Sequence, residues 1–208
     1  SYLSIERLLD AAGQTGADAV HPGYGFLSER ADFCRAVTEG GMTFVGPPAD
    51  AIDAMGNKAA AKRLMIAAGV PCIPGYQGTA QDDPSLIKAG EDIGFPLMVK
   101  AAAGGGGRGM RLVYDAAELP GALALARSEA QNAFGSSTLI LERALLRPRH
   151  VEVQVFADQH GSTIHLGERD CSVQRRHQKV FEEAPGPTMT TELRESMGQA
   201  AIQAAQAV

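Results

Sequence analysis

Apolar residues recur along this chain in two rhythms. Leu3, Ile5, Leu8 and Leu9 keep the spacing of one helix face and predict a helix over residues 4–12. A short strand at 18–20 follows, then the loop His21-Pro22-Gly23-Tyr24-Gly25-Phe26, a helix near 28–39 and a strand at 42–45. Helices alternating with short strands predict a parallel α/β layer. Gly46-Pro47-Pro48 interrupts that layer and marks a domain boundary. Helices at 50–55 and 58–68 come next, the second stopped by Gly69 and Pro71.

The rhythm then changes. A helix at 83–93, ended by Gly94 and Pro96, precedes strands at 97–100 and 110–113 that flank a glycine-rich loop. Asp115 opens a long helix, with Glu118 three residues on in the capping-box position and Gly135 at its end. Strands follow at 138–142, 151–156 and 163–166, the last two joined by a turn at 158–161. Locally paired strands with helices between them predict an α+β module. The expected organisation is therefore the end of a small α/β domain over 1–47 and an α+β domain over 48–208, with a lid subdomain at about 73–144. Ser1 opens almost directly into a helix, and the helical pattern after Met197 reaches Val208 without a stop signal, so a segment of a longer protein is expected.

Composition narrows the function classes. Lys and Arg number 19 against 24 Asp and Glu, a formal charge of −5, which disfavours a broad grip on nucleic-acid phosphates. Cys34, Cys72 and Cys171 form no C-x-x-C pair and cannot all pair with one another, which suits a reducing cytoplasm. No apolar run approaches the ~20 residues of a membrane span. The 24 glycines and 11 prolines gather between the periodic segments and read as loop chemistry.

The densest cluster is Lys100-Ala101-Ala102-Ala103-Gly104-Gly105-Gly106-Gly107-Arg108-Gly109-Met110. Each interior glycine costs roughly 0.5–1 kcal/mol in ordering entropy, so the run needs a use. Close backbone approach to an anion is one; a mobile surface hairpin is the alternative. The spacing Gly104-x-Gly106-x-x-Gly109 matches a dinucleotide fingerprint, but a strand, not a helix, follows it. A P-loop fails as well, because Met110 stands where Lys is required. What remains is a glycine flap between strands, with Lys100 at its root as a phosphate charge.

Two further stretches carry polar side chains in order. Period-two geometry over residues 150–156 sets Val151, Val153 and Val155 on one face and His150, Glu152 and Gln154 on the other. The run Glu168-Arg169-Asp170-Cys171-Ser172-Val173-Gln174-Arg175-Arg176-His177-Gln178-Lys179 gathers cationic groups into either an anion site or a solvated loop. Cys171 reads as a packed thiol, and His21 and His165 have no metal-ligand spacing.

Together, the glycine flap, Glu142 at a strand end, Arg147-Pro148-Arg149-His150-Val151-Glu152 and the 168–179 run resemble the biotin carboxylase component of biotin-dependent acyl-CoA carboxylases. The stretch 21–29 and Met55-Gly56-Asn57-Lys58 extend the likeness over nearly the whole chain. The flap alone indicates only the wider ATP-grasp superfamily, which includes carbamoyl-phosphate synthase; the 168–179 run is far more specific. The resemblance implies an α+β ATP-grasp fold preceded by the end of a Rossmann-like pre-ATP-grasp domain. It implies ATP, Mg²⁺ or Mn²⁺, bicarbonate and carrier-bound biotin as reactants. It also implies a biotin carboxyl carrier domain, a carboxyltransferase subunit and a homo-oligomeric parent, with a methylcrotonyl or geranyl type of acyl-CoA preferred.

Carried over by motif, Lys58 and Lys100 are expected at the ATP phosphates, with Gly106 and Gly107 in the flap. Glu142, Arg143, Ala144 and Leu145 are expected at the adenine, largely through backbone groups. His150 is expected near the ribose, Gln174 and His177 at the nucleotide, and Lys179 on bicarbonate. The family's metal-binding glutamates are expected beyond residue 208, so no metal ligand is assigned and the segment alone is expected to be inactive. Another ATP-grasp ligase, such as a carbamoyl-phosphate synthase domain, or a non-catalytic structural segment are the alternatives.

Overall fold

Ser4 accepts a hydrogen bond from the Arg7 N–H and starts α1 (Ile5–Thr15) in a computed structural model that describes residues 2–103, 110–175 and 178–208. The chain divides into two units, Ser1–Asn57 with Val208, and Lys58–Ala207. In the first, β1 (Ala19–Val20) pairs in parallel with β2 (Thr43–Phe44), the α/β arrangement expected from the alternating elements. The helix expected near 28–39 is divided: a 3-10 turn at Phe26–Glu29 is followed by extended Arg30, and α2 (Ala31–Glu39) restarts after it. Arg30 stays extended and its guanidinium bonds the Asp32 carboxylate. Leu27, Phe33 and Val37 form the core under α1, and α3 (Ala49–Gly56) completes the unit.

The second unit begins with α4 (Lys58–Ala67), β3 (Gly75–Tyr76) and α5 (Asp83–Ile93). Asp82 caps α5 by accepting the Ser85 N–H at 2.9 Å, so this helix starts where its sequence predicts. Then come β4 (Leu97–Ala101), β5 (Met110–Val113), α6 (Leu119–Phe134) and β6 (Leu139–Arg143). Asp115 and Glu118 do bond each other's neighbourhood, Glu118 N–H to Asp115 Oδ1 and Tyr114 N–H to Glu118 Oε2, but they close a turn. The α-helix proper starts at Leu119, with Pro120 in its first turn.

These four strands form an antiparallel sheet in the order β3-β6-β4-β5. Strand alternation decides its two faces. Leu97 and Val99 of β4 and Leu139 and Leu141 of β6 are fully buried against Leu86 of α5 and Leu119 and Leu123 of α6. The intervening side chains, including Lys100, Ile140 and Glu142, lie on the other face, where Ala59 of α4 packs with Ala102 and Ile140.

A second antiparallel sheet follows, β7 (Val151–Ala157), β8 (Thr163–Arg175) and β9 (Gln178–Glu183), with α7 (Thr191–Gln206) against it. The strand expected to stop near residue 166 runs on to Arg175 and pairs with β9, so the described residues of the polar 168–179 run lie on two antiparallel strands. At Gly167, with φ 84°, β8 carries an extra residue opposite β7. That bulge shifts the alternation by one and buries Glu168 and Asp170, where charged side chains would otherwise face water. Among the described residues no helix is long and apolar enough to cross a membrane.

Candidate functional site

The polar chemistry of the second unit gathers in two places. The first lies on the outer face of the four-stranded sheet. Glu142 projects there from β6, and both of its oxygens are taken: Lys62 Nζ donates to Oε1 at 2.7 Å, and Lys100 Nζ, from β4, donates to Oε2. The side chains of Lys62, Glu142 and Lys100 are 11%, 14% and 29% exposed, so all three groups are largely withdrawn from water. Burial works against the Glu142 charge, yet the hydrogen bonds from Lys100 and Lys62 win and hold its carboxyl below the usual carboxylate range. The trio carries one positive charge in excess, beside the point where the chain enters its glycine run. Gly106 and Gly107 lie outside the described residues.

Lys58, exposed at the first position of α4, stands one helical turn before Lys62. The segment after Glu142 is held by the sheet: the Arg143 N–H donates to Pro74 O and the Ala144 N–H to Pro96 O, both at 2.9 Å. These two donors therefore serve the fold, and a base bound at this segment would use its other groups. Leu145 and Leu146 are each 56% exposed and offer an apolar surface next to it.

The second place is the polar face of β7 and its neighbours. His150 Nδ1 accepts from Gln174 Nε2 at 2.8 Å, and His150 Nε2 lies 3.1 Å from Glu152 Oε1. A tautomer protonated at Nε2 satisfies both contacts. Glu152 Oε1 also pairs with Lys179 Nζ at 2.5 Å, and Oε2 with Arg169 at 3.4 Å. The Lys179 hydrogen bond is the main cause that lowers the Glu152 carboxyl, and the same bond raises the Lys179 ammonium. Lys179 is therefore a firmly charged cation. Cys171 is buried beside this cluster, and burial, then the charges of Glu152 and Glu182, push its thiol up, so it is a packed thiol rather than a nucleophile.

The structure thus joins Lys100 to Glu142, and joins His150, Gln174 and Lys179 into one network; His177 lies outside the described residues. Sequence reasoning did not single out Lys62, and it named Arg169 only as a member of the cationic 168–179 run. For Lys62 the available signal was its four-residue offset from Lys58. Among the described residues no three His, Cys, Asp or Glu side chains cluster as metal ligands. The charge these residues offer a polyphosphate is that of lysine ammonium groups.

Residues 57–208 match the family model described as the carbamoyl-phosphate synthase L chain, ATP binding domain, and residues 1–52 match that of the biotin carboxylase N-terminal domain. The chain is 52% identical over its whole length to the mitochondrial methylcrotonoyl-CoA carboxylase subunit alpha of Arabidopsis thaliana, of which it covers 28%. It is 50% identical to a biotin carboxylase of Halalkalibacterium halodurans, of which it covers 46%. The chain therefore spans less than half the length of these relatives. Among solved structures, the β,γ-ATP complex of Campylobacter jejuni biotin carboxylase superposes with a TM-score of 0.91 at 46% identity, over 99% of this chain and 46% of that one. The biotin carboxylase domain of the Hydrogenobacter thermophilus 2-oxoglutarate carboxylase, a dimer with MgADP, ADP and bicarbonate, gives 0.88 at 46% identity, over 99% and 45%.

Proposed function

The chain belongs to the family of biotin carboxylase N-terminal and ATP-binding domains, with an α+β ATP-grasp fold, and from that premise we propose that it serves the ATP-dependent carboxylation of carrier-bound biotin with bicarbonate. The reaction class sets the needs. Bicarbonate oxygen attacks the γ-phosphorus, the bond to the β-phosphate oxygen breaks, and ADP leaves; the carboxyphosphate formed gives its carboxyl group to the biotin ring nitrogen, whose proton passes to the departing phosphate. Such chemistry asks the protein mainly for positioning and charge neutralisation. Magnesium supplies charge neutralisation across the phosphates when bound.

The chain's own residues supply the rest. In this reading Lys58 and Lys100 take phosphate oxygens, with Gly106 and Gly107 closing over them. Glu142, Arg143, Ala144 and Leu145 border the base. His150, fixed by Gln174 and Glu152, meets the ribose side, His177 lies at the nucleotide, and Lys179 holds bicarbonate. A biotin carboxyl carrier domain, a carboxyltransferase subunit, a second copy of the protein and a methylcrotonoyl type of acyl-CoA complete the proposal, which a Campylobacter ATP complex and the carboxylase relatives support. The free cysteines Cys34, Cys72 and Cys171 favour a reducing compartment, here the cytoplasm.

The observation that carries the reading is Lys100, held at the root of the glycine run on the sheet face that also bears Glu142. In the full protein, ADP release should require both biotin and bicarbonate, and Lys100→Ala should lower it by about a hundredfold or more, the scale for losing one charge-stabilising donor. Turnover that ignores biotin would point to another ATP-grasp ligase, and an unaffected Lys100→Ala would remove the phosphate role.

A further inference from the structure

Lys62 has a position that the phosphate-binding lysines do not explain. It follows Lys58 by one turn of α4, so the two side chains leave the same side of the helix, yet Lys62 reaches inward to a carboxylate 80 residues away. It occupies Glu142 Oε1 while Lys100 occupies Oε2. Both groups pack against the β3 backbone: a Cβ on Gly75 would collide first with the Leu141 carbonyl oxygen, which by itself requires a glycine there, and would stand 2.8 Å from Lys62 Nζ and 3.2 Å from Glu142 Cγ.

A phosphate oxygen that recruits Lys100 must draw it away from Glu142. A largely buried carboxylate deprived of its last counter-ion repels an arriving polyphosphate and pulls Lys100 back. With Lys62 in place, Glu142 keeps a partner when Lys100 leaves it. Without Lys62, Lys100 and Glu142 form a closed neutral pair, and the excess positive charge of the trio is gone.

We propose that Lys62 is a positioning residue for nucleotide binding: it keeps Glu142 neutralised so that the Lys100 ammonium is available to the phosphates. This rests on the ATP-dependent reading above. Lys62 touches no phosphate in this scheme and acts only through Glu142.

The test is ATP affinity with magnesium, by titration calorimetry on the full protein, for wild type, Lys62→Met, Lys62→Arg, Glu142→Gln and the double variant Lys62→Met/Glu142→Gln. Lys62→Met should weaken ATP binding by about tenfold, a common size for coupling between contacting charges. Lys62→Arg should retain most of the affinity. Glu142→Gln alone sets the baseline for any loss of that residue's own contact with the base, and the double variant should bind ATP as tightly as that baseline, because removing the carboxylate charge removes the need for Lys62. Lys62→Gln, which keeps a donor without the charge, makes the same comparison if the Met variant does not fold. Unchanged affinity in Lys62→Met overturns the proposal. So does a double variant about tenfold weaker than Glu142→Gln alone, which is what a purely structural lysine would give. Wild type that binds no ATP overturns the nucleotide reading and this inference with it; ATP binding in wild type that is indifferent to Lys62 overturns the inference alone.

Discussion

Glu168 accepts two hydrogen bonds from the Arg194 guanidinium, at 2.8 and 2.9 Å, and a third from the Gly186 N–H at 3.0 Å. The Arg194 bonds are the main reason its carboxyl falls from 4.5 to about 2. Asp170 falls from 3.8 to about 2 as well, through Ser172 first and then Arg149. A carboxylate lowered in the folded state stabilises the fold fully above its unfolded value and loses that contribution as pH falls through the folded one. Both contributions are therefore complete at neutral pH and disappear as pH drops from about 4.5 towards 2. Glu168→Gln should lower stability at pH 7 and flatten the acid limb of a denaturation-against-pH curve. An acid limb identical to that of wild type would show that the Arg194 pair contributes nothing.

α7 meets β8 through Gly198, where a Cβ would sit 2.5 Å from the His165 ring. Overpacking of this kind costs about 1–3 kcal/mol, against roughly 1 kcal/mol that alanine gains over glycine in a helix. Gly198→Ala should thus destabilise the protein in urea, and in a His165→Ala background the same change should stabilise it. A loss of equal size in both backgrounds would place its cause elsewhere. What was legible in the sequence follows the same logic of contact. α5 is read correctly to both ends because its stop signal, Gly94, is local, and the structure adds an equally local cap at Asp82 that the sequence reading did not name. β8 is not, because past Gly167 its burial comes from ion pairs to Arg149 and Arg194 rather than from an apolar alternation. β3 is two residues long and has no period to read. At the site, Lys100 is announced by the glycines after it, whereas the role of Lys62 depends on a partner in β6 that only the folded sheet brings near.

Each of the two units has a core of its own, Leu27, Phe33 and Val37 in the first and the Leu86-to-Leu141 cluster in the second. Proteins built this way need not unfold in one step. Val37→Ala should raise amide hydrogen exchange across α1 and α2, and Leu123→Ala should raise it across β4 and β6, since each side chain is wholly buried in its own cluster. Exchange that rises equally everywhere for either variant would mean a single cooperative unit. A net charge of −5 overlies both, while the largely buried trio at Glu142 is locally positive. Positive charge therefore belongs to a place and not to the surface as a whole.

Gly75 carries this into heredity. Every missense mutation of a glycine codon adds at least one carbon, and at this position even the first carbon meets the Lys62 ammonium, the Glu142 side chain and the Leu141 carbonyl oxygen. An allele with another amino acid there meets the Leu141 carbonyl first and must displace β3 from β6, and the Lys62 ammonium with it. A codon for no side chain thus governs the setting of charges written in three other codons.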